Sequence, residues 1–302
     1  MIEDERLCRA LLSLEGLAIG DAFGEMCFYS PETARQRVHE GWLPSGPWWH
    51  TDDTEMAIAI VEVLRRYGRV EQDALARRFA ERFAEDPDRG YGKMARIILR
   101  SVLDGDDWRR ASAAAFGASG SMGNGGAMRV APLGAWFAED LDTVVAEARA
   151  SAQVTHAHPE GQAGAVAVAI AAAVAYRERA EPPAQVAHAI FQEVLARTPE
   201  GETRQKIREA STLTNASAKE AAKRLGNGFL VTAPDTVPFV IWSAARNLGD
   251  YTEAIIETTS VGGDCDTNCA MVGGIVALYV GMEGIPREWR AAREEFHLAD
   301  LP

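Results

Sequence analysis

Two short stretches, far apart in the chain, carry nearly the same set of oxygen donors. The first is His50-Thr51-Asp52-Asp53-Thr54-Glu55, directly before an apolar helical pattern. The second is Gly262-Gly263-Asp264-Cys265-Asp266-Thr267-Asn268, again before an apolar stretch. Asp52 with Glu55 resembles a capping box, in which one acceptor sits at the helix start and a carboxylate three residues on. A cap uses one acidic residue, whereas each stretch offers two, flanked by hydroxyls. Clustered carboxylate and hydroxyl oxygens are hard donors of the kind that Mg²⁺ or Ca²⁺ prefers. If the two helix starts meet in space, Asp52, Asp53, Asp264 and Asp266 surround one point, with Thr51 and Thr267 beside them. Four carboxylates gathered there repel one another strongly without cations, and two divalent ions would balance them.

A third stretch, Ser119-Gly120-Ser121-Met122-Gly123-Asn124-Gly125-Gly126-Ala127-Met128-Arg129, is rich in glycine. Exposed backbone N–H groups in such loops suit phosphate oxygens. The same stretch also reads as a tight connection between buried helices. It does not match the dinucleotide fingerprint, because no strand precedes it. A fourth, Thr155-His156-Ala157-His158-Pro159, joins two helical patterns. Its paired histidines lack a third ligand at zinc spacing, so one histidine donating to a substrate is the better reading. No Gly-x-Ser-x-Gly nucleophile elbow is present.

The elements that must position these groups are helical almost throughout. Leu7, Leu11, Leu14 and Ala18 recur at three- and four-residue spacing, as do Met56, Ile60, Val63 and Leu64, whose helix should end at Arg65-Arg66 and Gly68. Further helices are predicted over 72–84, 93–103, 141–154, 162–179, 184–195, 203–213, 218–225, 237–245, 251–258 and 268–280. The last is apolar on all sides and should be buried. Phe229-Leu230-Val231 is the one short β-like candidate. Breakers are short and local, so the 302 residues are expected to form a single all-α domain, a compact multi-helix bundle.

Composition narrows the partners. The formal net charge is -13, which repels phosphate backbones and argues against nucleic acid. An anionic ligand would need local help from a metal, a helix start or bare N–H groups. The four cysteines form no C-x-x-C pair and read as reduced thiols. The first residues are acidic, unlike a signal peptide. The longest apolar run, Ala163 to Tyr176, is shorter than the roughly 20 residues that span a bilayer. A cytoplasmic protein with no membrane insertion is expected. Nothing in the sequence indicates the oligomeric state.

Seven motifs in order resemble the ADP-ribosylglycohydrolase family, that of the dinitrogenase-reductase-activating glycohydrolase and the eukaryotic ADP-ribosylhydrolases. They are Gly16-Leu17-Ala18-Ile19-Gly20-Asp21-Ala22-Phe23-Gly24, Thr51-Asp52-Asp53-Thr54, Arg89-Gly90-Tyr91-Gly92, Gly123-Asn124-Gly125-Gly126-Ala127-Met128-Arg129, Thr155-His156, Thr236-Val237-Pro238 and Gly263-Asp264-Cys265-Asp266-Thr267. The resemblance implies an orthogonal all-α fold with two Mg²⁺ ions, or Mn²⁺ in some members, at helix N-termini. It implies Thr51, Asp52, Asp53, Asp264, Asp266 and Thr267 as metal ligands. It also implies that Arg89, Gly90, Tyr91 and Gly92, together with Ser121, Met122, Gly123 and Asn124, hold the diphosphate and ribose, with His156 near the phosphates. The one departure is at Phe28, where many relatives carry a glutamate. Glu25 is the nearest carboxylate, and whether it acts instead is open.

The implied reaction is metal-dependent hydrolysis of the glycosidic bond of an ADP-ribosyl group, on a protein side chain or a small ADP-ribose conjugate. Asp53, Asp266 and Glu25 are the candidate catalytic groups, because oxocarbenium-like character at the anomeric carbon is stabilised by carboxylates. An arginine, serine or acetyl-ester linkage is equally compatible. The alternatives are a noncatalytic ADP-ribose-binding relative, a metal-dependent hydrolase of another nucleoside or phosphoester, and a purely structural role such as relatives have taken in eye lenses.

Overall fold

Several helices of this chain start where a hydroxyl or carboxylate can take up an orphaned N–H group, and some stop at glycine. Thr51 caps the helix that follows it by accepting from Asp53 N, and Gly68 ends that helix in the left-handed region at φ 68°. Asp140, Ser217 and Asp250 cap three more helices in the same way. The computed structural model describes residues 2–27, 40 and 43–301. It contains the α-helices α1 (Ile2–Cys27), α2 (Asp52–Tyr67), α3 (Gln72–Glu85), α4 (Lys93–Leu103), α5 (Trp108–Ala118), α6 (Gly125–Met128), α7 (Ala131–Trp136) and α8 (Leu141–Gln153). They continue with α9 (Pro159–Arg177), α10 (Pro183–Arg197), α11 (Glu202–Ala210), α12 (Ala218–Leu225), α13 (Ala233–Arg246), α14 (Tyr251–Thr259), α15 (Cys265–Val280) and α16 (Arg287–Ala292). No strand occurs among the described residues, so the fold is all-α.

Small residues bring the central helices into backbone contact. Gly16, Gly20 and Gly24 form a stripe along α1 at a spacing of four, facing Gly273, Cys269 and Cys265 of α15. A Cβ built on Gly20 would lie 2.1 Å from the Cys269 carbonyl oxygen, and one on Gly24 would lie 2.4 Å from that of Cys265. Neither position has room for any side chain. Alanine-rich α9 is buried from Ala163 to Ala175, and α7 reaches its backbone through Gly134. α15 is buried as its apolar pattern predicts. A smaller cluster joins α11, α12 and α13 around Phe239 and Trp242, whose rings stack at 5.8 Å.

Several expectations are revised. α5, α6, α7 and α16 are additions to the expected helices: the last three are only 4, 6 and 6 residues long, and in α5 the backbone leaves the helical region at Ala115–Gly117, with Phe116 at φ 51°. α13 starts at Ala233, not Val237, because Pro234 fits a first turn that has no need of its N–H. Phe229-Leu230-Val231 forms an exposed turn, not a strand, with Val231 N donating to Gly228 O. Cys8, Cys27, Cys265 and Cys269 are all free thiols. No helix among the described residues is long and apolar enough to cross a membrane.

Candidate active site

The α1–α15 contact places one carboxylate that the pattern reading did not single out. Asp21 lies mid-helix between Gly20 and Gly24 and is fully buried. It accepts from Thr51 N and Oγ1, both at 2.9 Å, and from Thr54 N at 3.1 Å and Thr54 Oγ1 at 2.5 Å. Asp21 therefore clamps the start of α2 onto α1. The available signal was that Asp21 is the one charge in the apolar, glycine-striped stretch from Gly16 to Gly24.

The same geometry revises the capping box. Thr51, not Asp52, is the N-cap. Glu55 instead accepts from His50 Nε2 at 2.9 Å and Arg82 Nε at 2.7 Å. Burial alone would raise the Glu55 carboxyl, but His50 and Arg82 overcome it and hold it at about 2. Asp52 and Asp53 are thus free of capping duty.

The two helix starts meet. Thr267 Oγ1 donates to Asp53 Oδ2 at 3.3 Å, bridging α15 to α2. Carboxylate oxygens of Asp21, Asp53 and Asp266 all lie within 4.8 Å of one another. Asp264 stands beside them as the N-cap of α15, and its Oδ2 accepts from Asn124 Nδ2 at 2.6 Å. Crowding shows in the acidities. Asp52 is pushed up to about 8 by burial and then by Asp21 and Asp264. Asp53 and Asp266 are raised well above the usual carboxylate range, again by burial first and then by neighbouring carboxylates.

Whether these residues suit a divalent ion can be judged from the oxygens left over. Asp53 Oδ1 and Asp266 Oδ1 are buried and have no hydrogen-bond partner. Buried polar atoms are normally paired, and two orphaned carboxylate oxygens in a crowded anionic group are what a hard cation would satisfy. The donor set fits, and this acidic group can hold metal.

A pH prediction arises here. Asp52 has a raised pKa in the folded state, so between about 4 and about 8 the folded chain holds a proton that the unfolded chain releases. In metal-free buffer this group should lower the melting temperature as pH rises through that interval. Asp52→Asn should flatten the slope. Added Mg²⁺ should help most at the alkaline end, where its ligands are deprotonated. Calorimetric scans across pH check this, and an Asp52→Asn slope equal to that of wild type would refute it.

A cavity of about 550 Å³ opens over the acidic group, within the size range of small-molecule sites. Asp52, Asp264, Asp266 and Thr267 line it together with Ser121, Met122, Gly123, Asn124 and His156, and Gly90 and Gly92 contribute from another side. Arg89 and Tyr91 do not line it. The Arg89 guanidinium is occupied by Glu294 at 2.6 and 2.7 Å and by His50 O at 2.9 Å. The Tyr91 ring is buried edge-on against Phe83. Arg89 serves the site through its carbonyl, which accepts from Asp52 N at 2.7 Å. Glu25 lies one turn after Asp21 and is exposed; partial burial, Asp21 and Asp264 raise its carboxyl. Phe28 lies outside the described residues. His158 caps α9, accepting from Glu160 N. Lys93, Phe116, Arg129, Thr155, Leu230 and Val231 are among the other lining residues, and of these Lys93 and Phe116 belong to no motif quoted from the sequence.

Helices only, a carboxylate group gathered from three helix segments and a glycine-loop cavity define a class, and the comparisons agree. The family model of ADP-ribosylglycohydrolase matches residues 3–301, and the chain belongs to that family. It is 31% identical over 281 residues to "ADP-ribosylhydrolase ARH3" of Homo sapiens, covering 84% of this chain and 77% of the human protein. It is 23% identical over 300 residues to "ADP-ribosylarginine hydrolase Tri1" of Serratia proteamaculans (strain 568), covering 95% and 75% respectively. A solved structure titled "ADP-ribosylglycohydrolase-related protein complex" superposes with a TM-score of 0.69 at 26% identity, covering 96% of this chain and 94% of that one. Family membership supports hydrolase activity on ADP-ribosyl groups.

Proposed function

We propose that this chain is a divalent-metal-dependent glycosidase that cleaves the bond between an ADP-ribosyl group and a protein side chain or small conjugate. One observation carries the reading: the orphaned Asp53 and Asp266 oxygens belong to an acidic group that, through Asp52, Asp264 and Asp266, lines the same cavity as the Ser121–Asn124 loop and His156. Thr51, Asp52, Asp53, Asp264, Asp266 and Thr267 would hold two ions, Mg²⁺ or Mn²⁺. When bound, such ions supply charge neutralisation and Lewis acidity.

The chain's own groups do the rest. Backbone N–H groups of Ser121 and Met122, with His156, bind the diphosphate, while Gly123 N donates to Ser121 Oγ at 3.1 Å and holds the turn. Gly90 and Gly92 shape the ribose side, backed by Arg89 and Tyr91. The Asp53 and Asp266 carboxylates face the anomeric carbon, stabilise its developing positive charge and accept the proton of the attacking water. Partial burial, and then Asp21 and Asp264, raise the pKa of the Glu25 carboxyl, the direction in which a carboxylic acid becomes a better proton donor to a leaving group. In this role Glu25→Gln should lower kcat on the order of 10²–10⁴-fold, whereas activity within about a factor of two of wild type would show that the aspartates suffice. The arginine in the printed name of the Serratia relative does not fix the leaving group here.

Turnover and binding test the reading together. The chain with Mg²⁺ should release ADP-ribose from ADP-ribosyl-arginine, ADP-ribosyl-serine or O-acetyl-ADP-ribose, lose that activity in excess EDTA, and leave plain phosphoesters untouched. In calorimetry ADP-ribose should bind more tightly than ribose 5-phosphate, since it alone spans both the acidic group and the loop. With a net charge of -13 no broad positive field assists, so salt should weaken binding only moderately. Equal affinity for the two ligands would remove the loop from the site, and full activity in EDTA would remove the metals.

A further inference from the structure

We propose that Arg129, acting through Thr155, fixes the tautomer of His156 so that Nε2 carries the proton and donates into the glycine-loop end of the cavity, to an anionic oxygen of the ligand. The identity of that ligand as ADP-ribose rests on the function proposed above; the tautomer does not.

The argument follows hydrogen-bond polarity along three side chains. Arg129 is buried, its guanidinium lies over the Phe79 ring at 4.3 Å, and Nη1 approaches Met56 Sδ at 3.4 Å. Burial pulls its pKa down to about 9, with Asp52 and Asp53 opposing. It therefore stays protonated at neutral pH and can only donate. Arg129 Nη2 donates to Thr155 Oγ1 at 2.8 Å. Thr155 Oγ1 also lies 2.8 Å from His156 Nδ1. A hydroxyl has one proton, and Thr155 is buried with no other acceptor for it among the described residues. With the arginine filling a lone pair, the hydroxyl proton goes to Nδ1, which must then be the bare nitrogen. The opposite tautomer would set two donors on Thr155 and leave its own buried proton unpaired. Leaving a buried donor unpaired biases the tautomers about five-fold or more.

The second nitrogen faces the cavity. His156 Nε2 has no hydrogen-bond partner among the described residues. A Cβ on Gly123 would stand 3.1 Å from it, and one on Gly125 would stand 3.2 Å away, so two glycines keep this space clear. Burial, and then Arg129, pull the imidazole down to about 3, so it is neutral at physiological pH. A neutral N–H donor with a buried guanidinium behind it recognises an anionic oxygen, not a cation. Arg129 and Thr155, which also line the cavity, are positioning residues here: they set the tautomer of His156.

The test reads the tautomer directly. The full chain has six histidines, so ¹⁵N labelling of histidine gives a tractable spectrum, with His156→Gln assigning the signals of interest. The ligand-free wild type should show a protonated Nε2 and a bare Nδ1, unchanged from about pH 5 to about pH 8. Thr155→Val should replace this pattern by a tautomer mixture and weaken ADP-ribose binding about ten-fold, the size of one hydrogen bond to a charged acceptor. Thr155→Ser should restore both. A protonated Nδ1 in wild type, or an unchanged tautomer in Thr155→Val, overturns the relay. A wild type with the expected tautomer and no affinity for ADP-ribose supports the relay and overturns the functional reading instead.

Discussion

Asp53→Asn is expected to abolish turnover while raising the melting temperature of the metal-free protein. Asp53 is buried against Asp21 and Asp266, and its pKa is raised first by burial and then by those carboxylates. An amide of the same shape removes one charge from the group. Its oxygen can still accept from Thr51 and Thr267 as Asp53 Oδ2 does, and its N–H₂ can donate to a neighbouring carboxylate. In EDTA the variant should melt about 2–4 °C higher for each kcal/mol of repulsion relieved. The same change removes an orphaned oxygen that metal would use. The melting shift on adding Mg²⁺ should therefore shrink, and kcat on an ADP-ribosyl conjugate should fall on the order of 10²–10⁴-fold. Wild-type turnover, or a Mg²⁺ shift as large as that of wild type, would refute the assignment of Asp53.

The second large effect should come from one methyl group far from any ligand. In Gly20→Ala the new Cβ would sit 2.1 Å from the Cys269 carbonyl oxygen and 2.7 Å from its carbon. Backbone cannot rotate away as a side chain can, so α1 and α15 must separate. Overpacking of this kind costs roughly 1–3 kcal/mol, and more where backbone is struck. Asp21 follows Gly20 directly, so the separation also pulls its carboxylate from Thr51, Thr54 and Asp266. Stability, Mg²⁺ response and kcat should fall together. Gly92→Ala is the contrast for stability: its φ is an ordinary -60° and a Cβ there meets nothing within 4 Å. Thermal melts of the two variants side by side check this, and equal melting temperatures would refute the packing argument.

The helices were legible where periodicity, caps and breakers agree. Lys93–Leu103 and Ala218–Leu225 fall where the pattern places them, the second because Ser217 caps it and Gly226 follows it. Legibility failed where an element is too short for a period to register, as in Gly125–Met128 and Ala131–Trp136. It failed at Phe116 as well, where a left-handed bulky residue interrupts a helix that no local propensity would stop.

The candidate site divides along the same line. That two clusters of aspartate and threonine stand at helix starts, that a glycine-rich loop and Thr155-His156 accompany them, and that the chain resembles ADP-ribosylglycohydrolases all follow from residue types and their order. Which atoms face one another does not, because side-chain direction depends on partners distant in the chain. Asp21 joins the acidic group only because three glycines let α1 lie against α15. Arg89 turns to Glu294, 205 residues away, instead of toward the cavity. Asn124 spends its amide on Asp264 and Thr236. Local composition determined the chemistry available to this protein, and long-range packing decided which groups were left unpaired to perform it.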